Sequence, residues 1–413
     1  VRARVGTEHS LYAVALSGLA QTYDAMGKYA DAEAVYRRAL AVSEKTLGPG
    51  HTNVAAVLTR LAGVQTRQAR YADAEGLYRR ALAIEEKALG PAHPDLMITL
   101  NNLANVYQHQ ARYGDAEALY RRALPLAEKA KGAGHADVAQ ILNNLAVMAS
   151  AQGKFSESER LHQRALAIRE KVLSPGHPDL AFSLNNLAAI YKQQGKNAEA
   201  EALFRRAIPI MERALGTGHP DVGMAINNLA LVTESQGKLD DAEALYQRAL
   251  PILEKSLGPD HPNVAAGKNN LAIIYDHHGK NAEAGNLYRQ ALAIKERILG
   301  TDHPDVALVL NNLALVLQRQ RDFTEADRLF TRALRIRENS RGANHPDVAV
   351  TLSNLALLAK ADGDVANALA YSRRTTAAVL AHAAIEHRAH EARDVGDQDT
   401  YEFVVVRHGR MLA

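Results

Sequence analysis

Histidine stands at positions 9, 51, 93, 135, 177, 219, 261, 303 and 345, and every step is 42 residues. Ten residues beyond each comes leucine, from Leu19 to Leu355, and the next residue is alanine in all nine copies, Ala20 through Ala356. Such a period is the signature of a repeat architecture. It excludes one central core, because each unit can bury its apolar face only against its neighbours, and stability becomes a sum of units and interfaces.

Each unit reads as two helices. In 93–134, Leu100, Leu103, Ala104 and Tyr107 follow the i, i+3, i+4, i+7 spacing of one apolar helix face. A polar break at Gln110-Ala111-Arg112 precedes a second set, Tyr113, Ala116, Tyr120, Ala123 and Leu124. Six copies place glycine in that break (Gly27, Gly153, Gly195, Gly237, Gly279, Gly363), where a short turn needs a free backbone. Gly90 and Gly258 follow the second helix as stops. Glu33/Arg37, Glu75/Arg79, Glu117/Arg121 and Glu201/Arg205 are i, i+4 pairs in the favourable order, which is expected on a solvated face. No strand pattern interrupts the array up to about residue 386.

The spacing Leu103-Ala104-x2-Tyr107…Ala116-x3-Tyr120-x2-Ala123 resembles the tetratricopeptide repeat. The 42-residue length, with Asn101–Ala104 inside the first helix, resembles the long form of kinesin light chains and many bacterial repeat proteins, although the heptad coiled coil of the former is missing. The resemblance implies an all-α fold, a right-handed α-α superhelix of antiparallel helix pairs. It covers nine units of 42 residues over 9–386, the last one degenerate. Residues 1–8 align with the end of a truncated preceding repeat, and 387–413 read as a tail or the start of a further domain.

Composition narrows the function. The formal charge is +3, from 49 Lys+Arg against 46 Asp+Glu, far too small for the concentrated basic face of a nucleic-acid binder of this size. With no cysteine there is no disulfide, zinc finger or thiol nucleophile, and a reducing, cytoplasmic compartment is the expectation. No run approaches 18 apolar residues, so no membrane span is expected.

The most chemical-looking motif, His-Pro-Asp, occurs at 93, 177, 219, 303 and 345, with His-Pro-Asn at 261. A catalytic motif does not recur at each linker. Proline suits the first helical position, aspartate the first turn, and histidine a cap or linker hydrogen bond. The glycine pairs Gly48/Gly50, Gly132/Gly134 and Gly216/Gly218 follow helices rather than strands and fail the context of a phosphate loop. No catalytic residue, metal site or cofactor is expected.

The asparagine doublets are different. Asn101-Asn102, Asn143-Asn144, Asn185-Asn186, Asn227-Asn228, Asn269-Asn270 and Asn311-Asn312 place a mediocre helix former in mid-helix, off the apolar face. In the family that this chain resembles, the first helix lines a concave groove, and the first asparagine matches a ligand-facing position. A ladder of Asn101, Asn143, Asn185, Asn227, Asn269 and Asn311 would grip an extended peptide, each carboxamide acting as donor and acceptor. Hydrogen bonding to the adjacent repeat is the alternative. Asn105, Gln108, Lys192 and Arg319 occupy further groove positions implied by the family. The lysine/asparagine carboxylate clamp of chaperone-tail-binding relatives lacks its regular lysine here.

At the end of the array, Ser372, Thr375 and Thr376 replace the usual aromatic, alanine and leucine, and 373–393 reads as a closing helix. Tyr401–Val406 is strand-like, and Arg407-His408-Gly409 after it resembles the opening of the histidine phosphatase family, without the further arginine or histidine of a phosphate pocket. The sequence therefore points to a noncatalytic scaffold that binds a peptide or partner protein. The rival reading is a regulatory or sensor array of a larger bacterial protein, with an effector enzyme domain beyond residue 413. Self-association through uncapped terminal repeats, by Leu16, Leu19 and Tyr23, is a further expectation.

Overall fold

The computed structural model describes residues 9–393, with side chains through 385. Among the described residues there are 18 helices and no strand. They fall into two compact units, divided after residue 217. The first holds five helix pairs: α1 (Ser10–Ala25) with α2 (Tyr29–Leu47), α3 (Thr52–Arg67) with α4 (Tyr71–Leu89), α5 (Leu96–His109) with α6 (Tyr113–Lys131), α7 (Ala136–Ala151) with α8 (Phe155–Val172), and α9 (Pro178–Gln193) with α10 (Asn197–Leu215). The second holds four: α11 (Pro220–Ser235) with α12 (Leu239–Leu257), α13 (Pro262–His277) with α14 (Asn281–Leu299), α15 (Pro304–Arg319) with α16 (Phe323–Arg341), and α17 (Pro346–Asp362) with α18 (Val365–Arg393). Within each unit a helix packs on its chain neighbours and only lightly on the next helix of its own type. No described helix is long and apolar enough to cross a membrane.

The histidines are caps. In all nine repeats the imidazole Nδ1 accepts a hydrogen bond from the backbone N–H two residues on, at 3.1–3.3 Å. One orphan donor of each first helix is thereby satisfied. Proline takes the first helical position at 178, 220, 262, 304 and 346; in the third repeat the helix starts later, at Leu96, and Pro94 lies outside it. The turns inside the pairs are left-handed whether or not glycine is present. Where glycine is missing, Ala69, Ala111 and Arg321 adopt φ of 57°, 58° and 63°.

The Glu/Arg pairs of the second helices do not simply mark a solvated face. Their arginines are exposed, but Glu75 and Glu117 are largely buried because each also receives the next repeat: Arg112 Nη1 reaches Glu75 at 3.1 Å, and Lys154 Nζ reaches Glu117 at 3.4 Å. Glu33 receives Arg70, Glu159 receives Lys196 at 2.7 Å, and Glu243 receives Lys280 at 2.7 Å. At Glu75 burial works against ionisation, but bonds from Gln110 and Arg112 outweigh it and hold the carboxyl below its usual range. The Lys196 bond does the same at Glu159. One helix's wheel cannot show a partner that sits 37 residues away.

The closing helix is also longer than its pattern suggested. It runs unbroken from Val365 to Arg393, through the boundary expected at 387. Ala384 stands where most repeats carry the stop glycine, so nothing terminates it there. The expectations for residues 1–8, Tyr401–Val406 and Arg407-His408-Gly409 lie outside the described residues.

Two outcomes follow for stability. Left-handed backbone costs a residue with a side chain about 1–2 kcal/mol, partly offset by glycine's greater freedom when unfolded. Ala111→Gly is expected to stabilise the chain by about 0.5–1 kcal/mol in urea melts; a loss would show the turn to be unstrained. The second concerns His162, at 1% exposure in the core position that is Tyr120 or Phe204 in adjacent repeats. Burial, helped by the Arg169 charge, lowers its pKa from the ordinary 6.5 to about 4. The folded state holds the imidazole neutral, so its contribution is complete above pH 6.5 and is lost as pH falls from there towards 4. The loss is about 3 kcal/mol at 1.36 kcal/mol per pH-scale step. His162→Phe should abolish this part of the acid destabilisation and leave the part below pH ~4.3 that belongs to Glu75, Glu117, Glu159 and Glu243, all held below the usual range. Melting curves at pH 7, 5.5 and 4.5 for both proteins would decide it, and parallel pH dependence would refute the assignment.

Candidate functional site

Within each unit the first helices of adjacent repeats lie next to one another and share a face. Its members recur every 42 residues: the residue three before the asparagine doublet, the doublet itself, and the residues four, seven and eight beyond its first member. In the first unit this face sinks into a depression of about 420 Å³ to which three repeats contribute, including Asp24, Arg60, Gly63, Ile98, Asn102 and Asn105. In the second unit, Leu315, Gln318, Arg319, Phe323 and Leu357 line another of about 500 Å³.

The first asparagines turn their oxygens inward. Asn143 Oδ1 accepts from Asn186 Nδ2 of the next repeat at 3.1 Å, and Asn311 Oδ1 accepts from Asn354 Nδ2 at 3.0 Å. The Oδ1 atoms of Asn101, Asn185, Asn227 and Asn269 are buried without a donor in hydrogen-bonding range. Asn269 and Asn311 are almost wholly buried. The carboxamide thus does not offer both of its ends to the open face; only the amide nitrogen can be turned that way. Asn102, the second member, lines the depression directly.

The remaining positions are partly engaged. Asn105 Oδ1 accepts from the Tyr120 hydroxyl and from Asn144 Nδ2 at 3.4 Å, and Gln108 Oε1 lies 3.3 Å from the same hydroxyl. The pattern repeats at Tyr246, whose hydroxyl donates to Glu234 at 2.7 Å; where the residue facing that hydroxyl is Lys192, the aromatic is Phe204. Burial lowers the pKa of the Lys192 ammonium. Arg319 is ion-paired with Asp276 one repeat before. His109 stacks on Tyr71 with ring centroids 4.8 Å apart, and His277 is exposed.

Two groups were not anticipated. Ile98, Leu308 and Val350, at 55%, 45% and 44% exposure, put bulky apolar side chains on the open face. Ile98 shares a helical-wheel face with Asn102 and Asn105, so the signal was present in the spacing. The second group is Arg60 with Gly63, visible only as a departure from the period. Of the three residues expected to be exposed in the first repeat, Leu19 is, at 46%, while Leu16 is buried in a cluster that the first and second repeats share and Tyr23 is half-buried; Leu11 and Met26 are also exposed.

The family model described as tetratricopeptide repeat matches residues 1–45, 11–87, 53–129, 137–213, 221–297, 277–339 and 305–381. The chain is a tetratricopeptide-repeat protein. Among solved structures it is similar to a putative kinesin light chain with nearly identical TPR-like repeats from Podosopora anserina, at 26% identity over 50% of this chain and 98% of that one, with a TM-score of 0.44. The apo form of RapI is 14% identical over 70% of this chain and 98% of its own, with a TM-score of 0.53. A signal transduction ATPase with numerous domains, carrying a tetratricopeptide repeat sensor, from Pyrococcus horikoshii gives 15% identity and a TM-score of 0.58 over 88% of this chain and 55% of that one. The last two likenesses are of fold alone. No curated protein matches. Tetratricopeptide repeats are in general protein-interaction scaffolds, and that coarse role extends to this chain.

The two kinds of first asparagine should differ in stability. Asn143→Ala removes a neutral inter-repeat hydrogen bond and should cost about 0.5–1.5 kcal/mol before alanine's helix propensity is credited. Asn101→Ala removes a buried oxygen without a donor and should raise the melting temperature. Equal shifts for the two variants would show that the inward oxygens play no part in holding repeats together.

Proposed function

We propose that this protein is a noncatalytic scaffold whose first-helix face binds an extended peptide, or an extended segment of a partner protein. The observation that supports it best is the depression of about 420 Å³ in the first unit, where three successive repeats contribute equivalent positions to one surface. Exposed Ile98 supplies apolar contact there, and Asn102 supplies a carboxamide that can bond a peptide backbone. The amide nitrogens of Asn101, Asn143 and Asn185 extend this role along the first unit and that of Asn227 does so in the second, whereas Asn269 and Asn311 are too buried to reach a ligand. Arg319 acts from the wall of the second depression. The likeness to the ATPase with a repeat sensor is one of fold and lends the effector-linked reading no residue of its own.

A phage-displayed library of random dodecapeptides, selected on the chain, supplies the probe. Retained peptides should lose about tenfold in affinity with Ile98→Asp and about 2- to 13-fold with Asn102→Ala, the equivalent of one neutral hydrogen bond. Glu199→Gln, on the exposed side of a second helix, should change nothing. If that variant matters and the two first-helix variants do not, the peptide lies elsewhere.

A further inference from the structure

The two depressions described in the first unit lie at the two repeats of that unit that lack the asparagine doublet. In the third to the eighth repeat the doublet is Asn-Asn; in the first it is Ser17-Gly18 and in the second Thr59-Arg60. A hollow of about 300 Å³ opens beside Ser17 and Gly18, walled by Ala13, Val14, Ala56 and Val57. It adjoins the depression of about 420 Å³, since Gln21 and Arg60 line both. Gly63 deepens the second. Every later repeat has a side chain at that place, Asn105 and Val147 being the next two, and a Cβ on Gly63 would come within 3.6 Å of the Tyr78 hydroxyl. Glycine inside a helix costs about 1 kcal/mol relative to alanine, and here it leaves open the space above two phenols, Tyr36 and Tyr78, that are almost fully buried.

The charges of this hollow do not cancel. Arg67 is neutralised by Asp24, which its Nε meets at 2.9 Å. Arg60 has only neutral partners, Gln21 Oε1 at 3.0 Å and the Tyr36 hydroxyl. No carboxylate contacts it among the described residues. One net positive charge therefore faces the cavity, beside an apolar pocket. A carboxylate matches a single guanidinium in charge and in its paired geometry. A dianionic phosphate would bring its second charge against Asp24.

We propose that the first three repeats form a specific subsite for an acidic residue of a bound peptide, with the carboxylate on Arg60 over Gly63 and a neighbouring small apolar side chain in the Ala13–Val57 hollow. This rests on the scaffold reading above and names the chemistry of its ligand. The asparagine ladder then has a different role from the subsite: it offers amide nitrogens to the peptide backbone, and the subsite lies before the ladder begins.

The test uses the intact chain and fluorescein-labelled peptides taken from the same random dodecapeptide selection. Acidic residues beside small apolar ones should be enriched over the unselected library. Arg60→Asn gives the second repeat the residue found in the seven after it, and should weaken the enriched peptides at least tenfold. It should have no further effect on probes in which Asp or Glu is replaced by its amide. Gly63→Val, the residue of the fourth repeat, should weaken both kinds of probe by filling the floor. Thermal melts confirm that each variant folds, and Ser158→Ala, which removes a buried hydrogen bond from the second helix of the fourth repeat to the Ala146 carbonyl, controls for general loosening. Enriched peptides that lack acidic residues, or that bind Arg60→Asn within twofold of the parent, would overturn the subsite while leaving the scaffold reading standing. Failure to retain any peptide would overturn both.

Discussion

The contact on which everything else rests is the one between the second helix of a repeat and the first helix of the next. Its centre is the leucine that follows each capping histidine by ten residues. Leu61, Leu103, Leu145 and Leu187 in the first unit are at most 3% exposed, and Leu271, Leu313 and Leu355 in the second at most 5%. Leu19, in the first repeat, is 46% exposed. Full burial of such a side chain is worth about 1.5–3 kcal/mol, so a helix pair without a neighbour forfeits a large part of its stability. Packing within each helix pair dictates the local turns. Ala69, Ala111 and Arg321 accept a left-handed backbone because the packed helices on either side leave the connecting residue no other course.

Polar side chains add register to that apolar contact. On the second helices a largely buried glutamate receives a cation from the repeat that follows, and on the first helices asparagines bond across the same junction, as Asn186 does to Asn143. Ion pairs taken out of water return little net energy, because desolvation offsets attraction. They penalise mispairing heavily, however, since a slip of one residue leaves a buried carboxylate alone. Nine units built on one pattern make such slips a real hazard, and a repeated carboxylate with a repeated partner answers it.

The period, the helix pairs, the breaks and the capping role of histidine were legible because each depends on residues within one turn or one helix of each other. What escaped was pairwise across repeats. Glu75/Arg79 looked like a solvated pair because the wheel of one helix contains Arg79 but not Arg112. The wheel also placed the first asparagine off the apolar face, correctly, yet could not show that Asn143 would find Asn186 there. The exposed stripe of Ile98, Leu308 and Val350 lay within reach of the same wheel, three residues before the doublet position in each case.

Departures from the period then sort by whether the structure compensates them. Lys268 stands where the other repeats bury leucine or isoleucine, an expensive exchange unless something receives its charge. Glu254 does, at 2.6 Å, and Gln290, which stands where neighbouring second helices carry an arginine for that glutamate, bonds the same ammonium. The cation has moved from one helix to another and the junction is whole. Arg169, buried where Ala127 and Met211 sit in adjacent repeats, is met by Ser183, Gln140 and the Asp179 carbonyl. Those changes are structural. Arg60 and Gly63 have no such answer: the charge lacks a carboxylate, and the glycine leaves the depression deeper, by a side chain, than its equivalents in later repeats would. Because repeats interact only with their neighbours, the cost of that uncompensated pair stays local, and the junctions farther along the stack are untouched by it. An array of this kind can therefore hold one recognition feature among repeats that differ from one another only in how they pack.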